Sequence, residues 1–227
     1  MPALHDVVFD TSDLEYQGES ERVSSWLTPD GDLVELHLLL KPPDIDAPIE
    51  DPVAVRRFYR TRLATSGAIL VALDTATVSD CPALCTIVKV PQRPAGMTYV
   101  GCVTLPFRDC SFVLKMIAVE RGITGVRDNV VCGEMIQSGA VQLDTEAQTL
   151  RGWTRDPYDE RKVDGPYPNL SEAEAFDARF PEHPLSRVRP RMRHVVATMS
   201  LRDQAQALPR FKGTGHWWRR LWQSFAL

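Results

Sequence analysis

Between residues 33 and 40 the chain alternates. Val34, Leu36, Leu38 and Leu40 fall on one side of an extended backbone, and Leu33, Glu35, His37 and Leu39 on the other. A period of two with one wholly apolar set predicts a strand lying on a core. Lys41-Pro42-Pro43 ends it, because proline cannot donate to a ladder. From Asp51 the period lengthens: Val55, Phe58, Tyr59 and Leu63 recur at helical spacing, and Arg56, Arg57, Arg60 and Arg62 take the other side. Asp51-Pro52 opens this helix, since the carboxylate can accept free N–H groups and proline loses nothing at the first position. Gly67 supplies its C-terminal cap. Four more strands are predicted over 68–78, 83–90, 98–105 and 110–120, separated by turn residues at 79–82, 91–96 and 106–109. In the last of them both alternating sets are largely apolar, so the sheet must be covered on both faces. A second helix is predicted over 125–137.

After residue 150 the periodicity fades. Residues 151–169 hold three prolines and several charges and read as a linker or surface wrap. Ser171-Glu172-Ala173-Glu174 has the form of a capping box and predicts a short acidic helix to Arg179. From Ser186, Val188, Met192, Val195 and Met199 form a narrow apolar stripe, flanked by Arg187 and Arg191 on one side and Arg189 and Arg193 on the other. Pro190 is tolerable there only within a first turn. The chain closes on Trp217, Trp218, Arg219, Arg220, Leu221, Trp222 and Phe225, where Trp218, Leu221, Trp222 and Phe225 share one side of a helix. The division expected is a sandwich domain over 1–143, a linker or wrap over 144–170, and a basic helical extension over 171–227.

Charge sharpens that division. Of 26 Lys+Arg and 30 Asp+Glu, residues 186–227 hold nine bases and one acid, Asp203. Such asymmetry marks either an anionic partner or a basic segment lying on its own acidic body. A whole-chain pI of 5.8 disfavours nucleic acid, because the acidic body repels phosphates. No apolar run approaches the roughly 20 residues of a spanning helix. The opening Met-Pro-Ala-Leu-His-Asp lacks the basic and apolar regions of a signal peptide, and five scattered cysteines suit reduced thiols, so a cytoplasmic protein is expected.

Residues suited to chemistry are sparse. Cys81 and Cys85 have three residues between them, which is not the redox spacing, and Cys102, Cys110 and Cys132 have no nearby histidine, so the thiols read as core filling. No metal site or cofactor is expected. His5, His37, His183, His194 and His216 form no ligand pair. Glu182, His183 and Asp177 could compose a hydrolase dyad, although the neighbouring prolines favour a capped turn. Nucleophile elbow, Walker loop and dinucleotide fingerprint are absent from the sequence.

The order strand, strand, helix, four strands, helix over residues 5–138 resembles the Mog1/PsbP-like α/β/α sandwich. The resemblance rests on the helix at 51–67, the meander at 68–120 and the closing helix at 125–137. It implies an α+β fold, an antiparallel sheet covered by helices, and non-catalytic binding of another protein, as in the chaperones, adaptors and toxin-neutralising proteins of that group. The segment Phe180 to Arg189 is similar to one near the C-terminus of uncharacterised bacterial proteins. Three roles stay open for Trp217, Trp218, Arg219, Arg220, Trp222 and Phe225: a last layer on the chain's own sheet, a contact with a partner or a second copy, and an anionic membrane surface. The alternatives to a protein-binding factor are an enzyme with a dispersed site, a hydrolase first among them, and a peripheral binder of anionic surfaces.

Overall fold

A computed structural model describes residues 1–213 of the chain. Its elements in order are β1 (Val7–Val8), β2 (Glu15–Glu19), β3 (Val23–Leu27), β4 (Leu33–Leu39), α1 (Pro52–Ala64), β5 (Ile69–Val78), β6 (Cys81–Pro91), β7 (Met97–Pro106), β8 (Ser111–Val119), α2 (Val126–Gln137), β9 (Gln142–Asp144), β10 (Thr149–Arg151), β11 (Arg155–Asp156), β12 (Asp159–Val163), α3 (Pro184–Thr198), β13 (Ser200–Leu201) and α4 (Asp203–Gln206). The fold is α+β. Seven strands form one sheet in the order β2-β3-β4-β8-β7-β6-β5, antiparallel throughout. Two meanders compose it: β2 to β4, then, after α1, β5 to β8, with β8 returning to pair β4.

Alternation along the strands builds two cores. Val34, Leu36 and Leu38 of β4 point to the same side as Phe112, Leu114 and Met116 of β8, and all are buried. The opposite side of β6 sends Leu84, with Leu70 and Leu73 of β5, under Val55 of α1. α1 begins as its sequence requires: Asp51 accepts the N–H groups of Val53 and Ala54 at 3.0 Å each, with Pro52 in the first position.

Helix α3 crosses the first face. Its stripe Val188, Met192 and Val195, with Met199 just beyond its end, is buried in the main core beside Tyr99, Val103 and Leu114. Gly101 of β7 permits the close approach, because a Cβ there would lie 2.6 Å from Met192 Sδ and 2.8 Å from Val188 Cγ1. α3 starts at Pro184 rather than Ser186, so Pro190 sits in its interior and not its first turn, and one helical N–H is forgone.

Two expectations are corrected. The acidic helix after Ser171 is instead a pair of 3₁₀ turns, Leu170–Glu172 and Glu174–Arg179. The capping box belongs to Asn169 and Glu172, leaving the Ser171 hydroxyl between the Asp128 carboxylate and the Asn169 side-chain oxygen, with one proton to donate. Upstream, residues 142–163 fold into the hairpins β9–β10 and β11–β12. The second is tied to α1 by a bidentate pair, Arg60 Nη1 and Nη2 donating to Asp156 at 2.8 and 2.6 Å. No helix among the described residues is long and apolar enough to cross a membrane.

Candidate functional site

The groups with chemical capacity gather around α3. Its first turn is capped by His183, whose Nδ1 accepts the Leu185 N–H at 3.2 Å, and whose ring meets Tyr99 edge-on at 5.1 Å. Burial, with Arg127 nearby, lowers the His183 pKa to about 4, so the imidazole is neutral at physiological pH. Its Nε2 lies 3.7 Å from Glu120. Asp177 does not face this ring as a catalytic partner. It is held by Arg127 at 2.9 Å and Arg189 at 2.7 Å. The turn reading of this segment therefore describes what the atoms do.

Beneath the cap lies a buried polar knot. Arg127 of α2 is 1% exposed, and a guanidinium so placed needs its donors filled. Nε donates to the Ser171 carbonyl at 2.7 Å, Nη1 to Ser186 Oγ at 2.9 Å and Nη2 to the Ala173 carbonyl at 3.0 Å. Glu172 accepts from Lys89 Nζ at 3.0 Å, Tyr99 Oη at 2.8 Å and the Asn169 N–H at 2.8 Å. Burial and the Glu172 carboxylate push the Tyr99 hydroxyl well above its usual range, so it donates and does not ionise. These contacts weld α2, both 3₁₀ turns and α3 to strands β6 and β7. Little in the sequence points to this knot. Its signals were a lysine inside the apolar run 83–90 and an arginine beside the valines of the 125–137 helix, but its partners lie more than 40 residues away.

Two grooves flank α3. The larger, about 520 Å³, runs between α3 and the β3–β4 side of the sheet, lined by Asp10, Asp13, Asp32, Arg187, Arg191 and His194 among others. Its three basic side chains each meet an acid. Arg187 donates to both Asp32 oxygens at 2.7 and 2.9 Å, Arg191 to both Asp13 oxygens at 2.8 and 2.6 Å, and His194 Nε2 lies 3.0 Å from Asp10. The Arg191 hydrogen bonds hold the Asp13 carboxyl below its ordinary range, and Asp32 raises the already basic Arg187. The smaller groove, about 420 Å³, lies between α3 and β5–β6, with Ala72, Ile87, Met192, Val196 and Ala197 in its wall and Asp74, Glu174 and Arg193 at its rim. Arg193 meets Glu174 at 2.6 Å. All four arginines of the α3 stripe flanks thus lie against acids of the chain's own body.

The thiols are dispersed. Burial raises all five, Cys85 and Cys102 to about 11, so each is protonated near neutral pH and unlike an activated nucleophile. Among the described residues no three His, Cys, Asp or Glu side chains come together as metal ligands. Trp217, Trp218, Arg219, Arg220, Trp222 and Phe225 lie outside the described residues. Phe211, just before them, is buried with Ile45, Ile49 and Val55 in the second core.

No protein-family model and no curated protein matches the sequence. Solved structures overlap it in part. A protein of Bacteroides thetaiotaomicron shares 7% identity with a TM-score of 0.33, over 55% of this chain and 42% of that one. LpqN of Mycobacterium tuberculosis, described as involved in cell envelope biogenesis, shares 19% identity with a TM-score of 0.31, over 59% of this chain and 78% of LpqN. The chain spans less than half the length of the first of these.

Proposed function

We propose that the chain is a non-catalytic, cytoplasmic protein-binding factor built on a Mog1/PsbP-like sandwich, of the chaperone, adaptor or toxin-neutralising kind. The observation that carries this reading is the pair of partly apolar grooves along α3, where the four arginines of the helix and His194 are paired with acids of the chain's own body. Committed pairs offer a shaped surface with a set charge pattern, which suits recognition by complementarity. Trp217, Trp218, Arg219, Arg220, Trp222 and Phe225 are proposed as further partner contacts on their composition alone. Affinity capture from native lysate, with the full chain and with a chain ending at residue 213, tests this. A protein retained in stoichiometric amount and released by competing free chain is the expected result, and loss on truncation assigns the contact to the tail.

One observation favours a second reading, a hydrolase. The larger groove brings His194, Asp10, Ser12 and Asp13 to one wall. His194 paired with Asp10 is a base–orienter arrangement, though Ser12 is tied to Asp10 through its own N–H at 2.9 Å. Turnover of an ester or phosphoester that vanishes in His194→Ala would establish this reading and displace the first.

A further inference from the structure

Among the described residues the sheet ends at β5, and that edge is treated differently along its length. The two-residue turn at Ser79 and Asp80, both left-handed at φ 47° and 60°, sets the register with β6. Val78 pairs Cys81 across the closing rung, so hydrogen-bonded rungs recur at Ala76↔Ala83 and Asp74↔Cys85. Leu73, Thr75 and Thr77 then turn their N–H and C=O groups outward. Pro82, which has no N–H, stands opposite Thr77, where the ladder asks for none.

At Leu73 the outward groups are occupied. The Tyr158 hydroxyl accepts the Leu73 N–H at 2.6 Å and donates to the Leu73 carbonyl at 3.0 Å, doing for this residue what a neighbouring strand would do. Arg56 Nε donates to the same carbonyl at 3.1 Å and lies 3.4 Å over the Tyr158 ring. Beyond it the cover stops. Thr75 and Thr77 are exposed, and their outward backbone groups meet no partner among the described residues. The smaller groove adjoins this free stretch at its Asp74 end, with Ala72 and Asp74 as its β5 residues, on the side to which Asp74 and Ala76 point. Exposed acids stand at both ends: Asp80, and Asp74 with its side chain 68% exposed and met by Arg56 only at 3.6 Å.

We propose that the edge from Asp74 to Thr77, together with the groove beside α3, takes an extended peptide of a partner protein as an eighth strand. The peptide turns an apolar side chain toward Ile87 and Val196 and sets a basic residue near Asp74 or Asp80. Strand addition supplies the main-chain bonds, and the groove and the acids supply selectivity. Charge argues against a second copy as the occupant, because pairing two β5 edges brings Asp74 and Asp80 of each against those of the other. The site rests on the protein-binding reading and gives it a location.

Thr75→Pro removes one outward donor and leaves the bonds to β6 intact, so the fold is retained. A random dodecapeptide phage library is selected on the immobilised full chain, and the enriched peptide is synthesised and titrated by fluorescence anisotropy. Alternating apolar residues with a Lys or Arg are expected, with Kd at least tenfold weaker for Thr75→Pro and weaker at high salt. Amide exchange at Thr75 and Thr77 should slow at least tenfold in the complex. Should Thr75→Pro lose its thermal transition, Asp74→Lys serves, with the same expected weakening. Peptides that bind both variants as well as the parent overturn the edge site and leave the protein-binding reading standing. An unenriched library overturns the edge site as well, whereas the broader reading falls to the His194→Ala turnover assay. A dimer that Thr75→Pro converts to monomer gives the edge to a second copy and overturns the peptide assignment.

Discussion

Replacing Gly101 by alanine tests how closely α3 is seated on the sheet. The new Cβ would lie 2.6 Å from Met192 Sδ, 2.8 Å from Val188 Cγ1 and 3.0 Å from Met192 Cγ. Carbon atoms rest about 3.5–4.0 Å apart, so both neighbours must yield by roughly 1 Å. Met192 can turn about its flexible thioether chain. Val188 cannot, because a β-branched side chain in a helix has one strongly preferred rotamer, and so the helix itself must lift. Overpacking of this kind costs about 1–3 kcal/mol, partly offset by the roughly 0.4–1 kcal/mol gained when alanine restricts the unfolded chain. A net loss of about 1–2 kcal/mol is expected in urea unfolding of the full chain. Met192→Ala alone should cost about 2–5 kcal/mol by emptying the core. Combined with Gly101→Ala it should cost less than the sum, by about 1 kcal/mol or more, because the new methyl enters the vacated space. A neutral or stabilising Gly101→Ala, or additivity within about 0.5 kcal/mol, would refute the close seating.

Acid should expose the His183 cap. Its folded pKa of about 4 lies below the ordinary 6.5, so between those values the unfolded chain binds a proton that the folded chain refuses. The group therefore costs nothing above pH 6.5, and its destabilisation grows as pH falls, by about 2 kcal/mol at pH 5. His183→Asn keeps a capping acceptor without titrating; denaturant unfolding at pH 7.5 and 5 should show that variant losing about 2 kcal/mol less than the parent over the interval. Arg127→Met preserves bulk but leaves the Ser171 and Ala173 carbonyls without their donor, and should cost about 3–5 kcal/mol by the same measurement. A loss below about 1 kcal/mol would mean that the knot contributes little.

Local rules made the framework legible. The period-two stretches at 33–40 and 68–120, and the helix opened by Asp51-Pro52, need only residues within a few positions of one another, and the observed strands and α1 fall where that pattern puts them. The apolar stripe Val188, Met192, Val195 and Met199 was readable for the same reason. The capping box was misplaced because two candidate acceptors, Asn169 and Ser171, stand two residues apart, and only the third-dimensional neighbour Asp128 decides which is free to cap. The basic character of 186–193 was visible in composition, but its meaning was not. Whether Arg187 faces a partner or Asp32 depends on a contact spanning 155 residues. The same holds for Lys89 with Glu172, and for Tyr158 closing the β5 edge at Leu73 while Thr75 stays open. Amphipathic period and the Asp51 cap are properties of neighbouring residues, so the sequence alone determined strands β4 to β8, helices α1 and α2 and the buried stripe of α3. Pairing of charges, filling of edges and the seating of α3 at Gly101 are properties of surfaces brought together, so only the tertiary structure decided them.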